Sequence, residues 1–574
     1  MTSCSFLVRP TAPQDVFTPE DLREEHAAIV RMIDEFWTRD ISPNLAAMHR
    51  KEPGVLARLL RKAVELGLPG ISIPEAFGGM ELDLASVMVA EEALARDASY
   101  SVTLGGQAGI GAWPIVFFGS DDQKGRYLPR LAAAEMIAAY ALSEPQAGSD
   151  ALAIRTRAQL TPDSTCYILN GQKAWITNGG IADLFIVFAK VEGAHFTAFI
   201  VERGFAGVST GAEEAKMGLH GSSTTPLFLD NVAVPVANVL GEVGRGHAIA
   251  FNVLNLGRLK VGSYAVGASK DVLSTSLRYA KSRVAFGGPI GALGLIRQKL
   301  ADMAVRLYAT ESMVWRVVGL IEGASATTRN GERGRLEAVR EFAAECAMVK
   351  VYASEALGYI ADEGVQIHGG YGYHRDYLVE RAYRDARVYR IFEGTNEINR
   401  LLIGRALLKR AACGESDLIS TVQEIRRGST PDAIRAREDR ASNDPVTAGK
   451  ELFRLALGAA LDVYGSGLER EQSLLATLSD MAIDVFAMES SSLRHQKLSR
   501  SDRGANAGDM TSVLVRESLR HLETAALTIL SACPGVDPAY QTKVRLLAAR
   551  EMVNVVRLQQ SIAGRLLTAE RFVV

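Results

Sequence analysis

The chain has 574 residues, with 64 Lys plus Arg against 66 Asp plus Glu and 48% apolar residues. That length predicts several domains, and the balanced charge excludes a broadly basic surface, so no nucleic-acid partner is expected. Five widely spaced cysteines, Cys4, Cys166, Cys346, Cys413 and Cys533, form no C-x-x-C; this speaks against a disulfide framework or a metal site and for a reducing compartment.

The N-terminus carries Pro10, Pro13 and an early Asp15 without a continuous apolar core, so no secretory signal is expected. The stretch TPEDLREEHAAIVRMIDEFW reads as a helix, with Thr18 as its cap and Pro19 at its first position. Helical periodicity continues to about residue 138. It includes TLGGQAGIGAW (103–113), where four glycines stand in a helical pattern at a cost of up to about 1 kcal/mol each. Space beside the helix is one reason to tolerate them, and close helix packing is the other.

Over 139–250 the pattern changes to short segments rich in β-branched and aromatic residues, separated by Asn-Gly and Asp-Asn turns, which predicts a small antiparallel β domain. From 251 to 410 long helical segments return, enough for a four-helix bundle. A polar, Pro-containing stretch (426–450) reads as a linker, and 411–574 as an additional helical region. The predicted fold class is mainly α with a small β domain (α+β). No apolar run reaches the roughly 18 residues of a membrane span. No G-x-G-x-x-G or P-loop pattern occurs, so any nucleotide must bind in another way.

Five segments stand out. YRIFEGTNEINR (389–400) places the carboxylate of Glu393 directly before Gly394 and the hydrogen-bonding Thr395 and Asn396. YALSEPQAGSD (140–150) offers Ser143, Ser149 and a flexible Gly148 backbone. KAWITNGG (173–180) sets Trp175 and Thr177 in a β context, where a Trp packs in a core or stacks on a flat ring. SRVAFGGPIG (282–291) joins Arg283 and Phe286 to a glycine turn, and QIHGGYGY (366–373) holds paired glycines after a helix. Singly, each also reads as an ordinary cap, loop or core element.

Together, in this order and spacing, they resemble the acyl-CoA dehydrogenase family over roughly residues 20–410. FNVLNLGR, IRQKLADMAVRLYATESM and the added C-terminal region are similar to its very-long-chain branch. The resemblance implies FAD. Tyr140, Leu142, Ser143, Gly148 and Ser149 would line the flavin on one side, and Trp175 and Thr177 on the other. Arg283, Phe286, Gln298, Gln366, Gly369 and Gly370 would hold the adenosine and pyrophosphate, partly from a neighbouring subunit, so a homodimer is implied. Thr395, Asn396 and Glu397 would complete the pocket.

The resemblance also makes Glu393 the base that removes the α-proton of a long-chain acyl-CoA while the β-hydride passes to flavin N5, giving the trans-2-enoyl-CoA of fatty acid β-oxidation. Ser149, Asn255, Arg258, Phe392 and Gly394 would contact the acyl-CoA. Relatives that carry their base elsewhere use the position of Gly257, which has no carboxylate. Burial beside substrate and flavin is expected to raise the Glu393 pKa. The implied electron acceptor is electron-transfer flavoprotein; from the absence of a targeting signal a cytoplasmic location is expected, with a peripheral position at the inner face of the membrane as an alternative. SLRHQKLSRSDR (492–503) reads as a basic amphipathic segment that could touch a membrane surface or as a solvated face. Two other functions remain open: a non-catalytic assembly scaffold, and an acyl-CoA oxidase that passes electrons to oxygen.

Overall fold

The computed structural model describes residues 2–327, 331–412, 418, 422, 444–499, 501, 503–536, 539–549 and 553–574. The chain divides into two compact units. One comprises Met1–Asp21, Ser269–Leu320 and Glu341–Val574, and the other Leu22–Ala268 and Ile321–Arg340.

The second unit opens with helices, carries a sheet in its middle and returns to helix from Gly246. Its first long helix is Glu24–Phe36, not one starting at Pro19: Pro19–Asp21 forms a separate short 3-10 turn, with the Thr18 hydroxyl donating to Asp21 Oδ2 at 3.0 Å. The glycine-rich stretch continues the Ala98–Gly105 helix as a π-helical turn, Gly106–Gly111. Here the glycines serve close packing. A Cβ on Gly105 would stand 2.0 Å from the Tyr264 hydroxyl, and one on Gly109 2.7 Å from Lys260 Nζ. The space expected beside this helix is filled by those side chains and Trp113.

Eight strands follow: β1 (Ala138–Ala141), β2 (Arg157–Leu160), β3 (Cys166–Thr177), β4 (Leu184–Val191), β5 (His195–Glu202), β6 (Val208–Thr210), β7 (Thr224–Pro235) and β8 (Val239–Leu240). The order is β6-β7-β3-β2-β4-β5-β8, with β1 also on β4. The sheet is mixed rather than wholly antiparallel, because β1 and β2 both pair parallel to β4. β4 (LFIVFAKV) is buried on both faces, as a continuous apolar run requires. Its Phe188 packs edge-on to Tyr140 at 5.1 Å and near Phe196 at 5.6 Å. A ring buried this fully contributes roughly 2–3 kcal/mol, so β1, which leads into the YALSEPQAGSD loop, is fixed firmly.

The first unit is helical. Its longest elements include Ala343–His368, Asn396–Ala412, Pro445–Tyr464, Gln472–Leu498 and Gly504–Ser531. The stretch read as a linker lies outside the described residues up to 443. From Asp444 it is a helix start: the Asp444 carboxylate accepts from Val446 and Thr447 N–H, with Pro445 at the first position. The N-terminal segment is held here as well, by the Ser3 hydroxyl and Cys4 N–H donating to the buried Glu345 carboxylate at 2.7 and 2.6 Å.

Among the described residues of the basic segment 492–503, Arg494, Lys497 and Arg503 are paired with carboxylates. Arg494 is buried and paired to Glu20 and Glu311, Lys497 is paired to Asp21, and Arg503 to Glu20. Three of its cations are thus engaged by carboxylates of its own unit. Among the described residues no helix is long and apolar enough to cross a membrane.

Candidate active site

The turn carrying Glu393 precedes the Asn396–Ala412 helix. Glu393 and Gly394 both adopt left-handed backbone, with φ of 55° and 81°. That is routine for glycine and costs a β-carbon residue on the order of 1 kcal/mol, so the surrounding structure must hold it. It does so through the carbonyls. Lys350 Nζ, fully buried, donates to Gly394 O at 2.7 Å and Asn396 Oδ1 at 2.8 Å. Asn399 Nδ2 donates to Gly394 O at 2.8 Å and Thr395 O at 3.0 Å. The Thr395 hydroxyl accepts from Ile398 N–H at 3.3 Å and caps the helix. Glu393 Oε2 is screened from solvent. Phe392, partly buried, packs its ring 5.2 Å from Tyr389, while Glu397 is exposed.

The same unit presents the residues expected to hold an adenosine and pyrophosphate. Val284–Ala285 and Gly288–Pro289 form a small hairpin whose two turn residues, Phe286 and Gly287, have φ of 53° and 85°. Paired positive φ values are those of a type I′ turn, and this one leaves Phe286 94% exposed. Arg283 lies 5.6 Å from the Tyr371 ring, so the hairpin stands beside the Gly369–Gly370 loop. Gln298 and Gln366 are exposed on their helices.

The second unit carries the rest. Trp175 sits at a register shift between β3 and β7, with φ of 61° and 63% exposure. A bulge re-aims side chains; here it displays a large ring instead of burying it, and Thr177 follows at the end of the strand. Tyr140 and Ser143 are half-buried, Leu142 is buried, and Gly148 and Ser149 are exposed. Asn255 and Arg258 are buried rather than solvated, with Arg258 Nη1 donating to Asn255 Oδ1 at 2.6 Å.

Sequence reasoning missed the group that fixes this loop. Lys173 Nζ pairs with Glu144 Oε1 at 2.7 Å, and both side chains are buried. The Glu144 carboxylate also accepts from Arg155 and Thr156 N–H. Burial brings the Lys173 ammonium down to about 8 against the pull of Glu144. Burial alone would raise the Glu144 carboxyl, but Lys173 and the N–H donors outweigh it and hold it below its usual range. Both residues stood inside quoted motifs, and only their distance in the sequence concealed the pairing. Lys350 and Asn399 were also missed: Lys350 lies 43 positions before Glu393, in a helix whose sequence gives no hint of the contact.

Comparison with known proteins bears on this arrangement. Descriptions of the acyl-CoA dehydrogenase N-terminal, middle and C-terminal domains match residues 23–135, 139–232 and 244–408, and a second C-terminal domain description matches 448–550. This chain belongs to the acyl-CoA dehydrogenase family. A probable acyl-CoA dehydrogenase of Bacillus subtilis (strain 168) is 42% identical over 584 residues, covering 99% of this chain and 98% of its own length. The human mitochondrial very long-chain specific acyl-CoA dehydrogenase is 36% identical over 479 residues, 78% of this chain and 70% of its own. The crystal structure of an acyl-CoA dehydrogenase complexed with FAD from Bacillus anthracis has a TM-score of 0.96 at 41% identity, covering 100% of both chains.

The protein is therefore an FAD-dependent acyl-CoA dehydrogenase of the very-long-chain-like branch. Its residues suit a flavin. Trp175 offers an exposed ring. A Cβ at Gly148, Gly369 or Gly370 would meet nothing within 4 Å, leaving backbone open to a polar ligand.

Proposed function

We propose that this enzyme oxidises long-chain fatty acyl-CoA to trans-2-enoyl-CoA, with the Glu393 carboxylate removing the α-proton. The observation that supports this reading is the left-handed Glu393–Gly394 turn, held by Lys350 and Asn399 through its carbonyls. Strained backbone that the surrounding structure over-determines gathers at functional sites. The α-proton of a thioester is weakly acidic, so its removal needs a positioned base and a donor for the developing enolate oxygen. The Glu393 N–H is assigned as that donor. FAD, when bound, supplies the hydride acceptor. Tyr140, Leu142, Ser143, Gly148, Ser149, Trp175 and Thr177 are assigned to the flavin. Arg283, Phe286, Gln298, Gln366, Gly369, Gly370, Thr395, Asn396 and Glu397 are assigned to the rest of the cofactor, some of them across a homodimer. Ser149, Asn255, Arg258, Phe392 and Gly394 are assigned to acyl-CoA, and electron-transfer flavoprotein to the acceptor role.

The long-chain assignment rests on the very-long-chain relatives, since the glycines of 105–111 are packed against side chains. Anaerobic bleaching of the purified yellow protein by acyl-CoAs of graded length tests the whole reading. The expected result is bleaching that is best with palmitoyl-CoA or longer and slow recolouring in air. An optimum at four to eight carbons defeats the chain-length assignment, rapid recolouring makes the protein an oxidase, and no bleaching by any acyl-CoA leaves the scaffold role.

A further inference from the structure

The C-terminal helical region supplies none of the residues assigned above, yet it makes polar contact with the helix that follows the catalytic turn. Arg400, seven residues after Glu393, donates through Nε to Asp480 Oδ1 at 2.7 Å and lies 2.9 Å from Glu355 Oε1. Asp480 belongs to the Gln472–Leu498 helix of the added region. Glu355 Oε1 accepts from Asn396 Nδ2 at 2.9 Å, and Asn396 Oδ1 accepts from the same Lys350 ammonium that holds Gly394 O.

The backbone is seated there too. The Ser479 hydroxyl donates to Arg400 O at 2.7 Å, and a Cβ on Gly404 would come 2.4 Å from Leu475 Cγ. Only glycine permits that approach. Every step of this chain lies within one unit.

We infer that the added helical region is a positioning element for the Glu393 turn, acting through the relay Asp480–Arg400–Glu355–Asn396–Lys350. The inference rests on Glu393 being the base. Arg400 is the hinge of the relay. Its side chain is 17% exposed and held between two carboxylates, which fixes the planar fork from both sides. The Asp480 and Glu355 side chains are 46% and 40% exposed, and a pair exposed to that degree contributes little to global stability. Cutting it therefore changes where the helix start sits more than whether the chain folds. Small displacements of a catalytic group slow the chemical step steeply.

The test uses full-length, flavin-loaded protein and stopped-flow anaerobic bleaching by palmitoyl-CoA. Asp480→Asn is expected to slow bleaching about fivefold, a size typical of coupling through packed networks. Flavin content, melting temperature and half-saturating palmitoyl-CoA stay at wild-type values. Asp480→Glu recovers most of the rate. Glu355→Gln slows bleaching similarly, and the Asp480→Asn/Glu355→Gln double variant is no slower than Glu355→Gln alone, because the relay is already cut.

Wild-type bleaching by Asp480→Asn, or a double variant slowed by the product of the single effects, overturns the relay. Glu393→Gln in the same assay separates the two readings. Fast bleaching by that variant removes the base assignment and the relay together. Silence there with undiminished Asp480→Asn removes the relay alone.

Discussion

The two loops that matter most are held in opposite ways. The Ser143–Ser149 loop is fixed by charge against charge, Glu144 on Lys173, both buried, with backbone N–H groups completing the carboxylate. The Glu393 turn is fixed by a buried cation and an amide acting on neutral carbonyls, Lys350 and Asn399 on residues 394 and 395. The first arrangement uses its acid to hold the backbone. The second holds the backbone by its oxygens and assigns the acid to chemistry. A glutamate in a loop is thus uninformative until its partners are known.

The largest expected effect breaks the first loop. Lys173→Met leaves Glu144 buried without its cation, which typically costs 3–5 kcal/mol. A steep fall in melting temperature and loss of bound flavin are expected, with partial recovery in Lys173→Met/Glu144→Gln. A melting temperature close to wild type would mean that the pair contributes little to the loop.

Lys350→Met tests the second loop. It removes the charged donor from Gly394 O and Asn396 Oδ1, leaving Asn399 and Ser354 as their remaining donors, at about 2 kcal/mol. Unlike Lys173→Met it should retain flavin while slowing bleaching by palmitoyl-CoA about tenfold. Equal loss of flavin in both variants would erase the contrast. Gly394→Ala acts on the stability of the same turn through backbone conformation. A side chain at φ of 81° is disfavoured by roughly 1 kcal/mol, read as a small drop in denaturation midpoint.

A subtler effect is pH-dependent. In the helical unit, burial and then the neighbouring Asp480 push the Asp484 carboxyl up to about 8. The folded state then holds a proton that the unfolded chain releases near its ordinary pKa of about 4. Its contribution is intact below that value and is lost as pH rises toward 8. Asp484→Asn should melt higher than wild type at pH 8, with a gap that narrows toward pH 5. A gap that does not vary with pH would place the carboxyl in its ordinary range.

Much of the fold was legible because period and composition report local structure. The β-rich block between helical regions and the long helices from residue 246 follow from side-chain pattern alone. The parallel pairing of β1 and β2 with β4 was not legible, since strand direction depends on connections rather than on residue type. Glycines 105–111 are compatible in sequence with space or with close packing, and sequence does not show that Tyr264 and Lys260 stand against them. Arg494 read as a surface cation because its partners, Glu20 and Glu311, lie hundreds of residues away. At the site, Glu393 and the displayed Trp175 came from motifs, whereas Glu144–Lys173 and Lys350 are contacts that only tertiary structure reveals.

The central claim is that the carboxylate at 393 takes the proton. Glu393→Gln preserves shape and removes the base. In protein that still holds FAD, anaerobic bleaching by palmitoyl-CoA is expected to slow by about 10²–10⁴-fold, the usual share of a positioned general base. Bleaching at the wild-type rate would contradict the account.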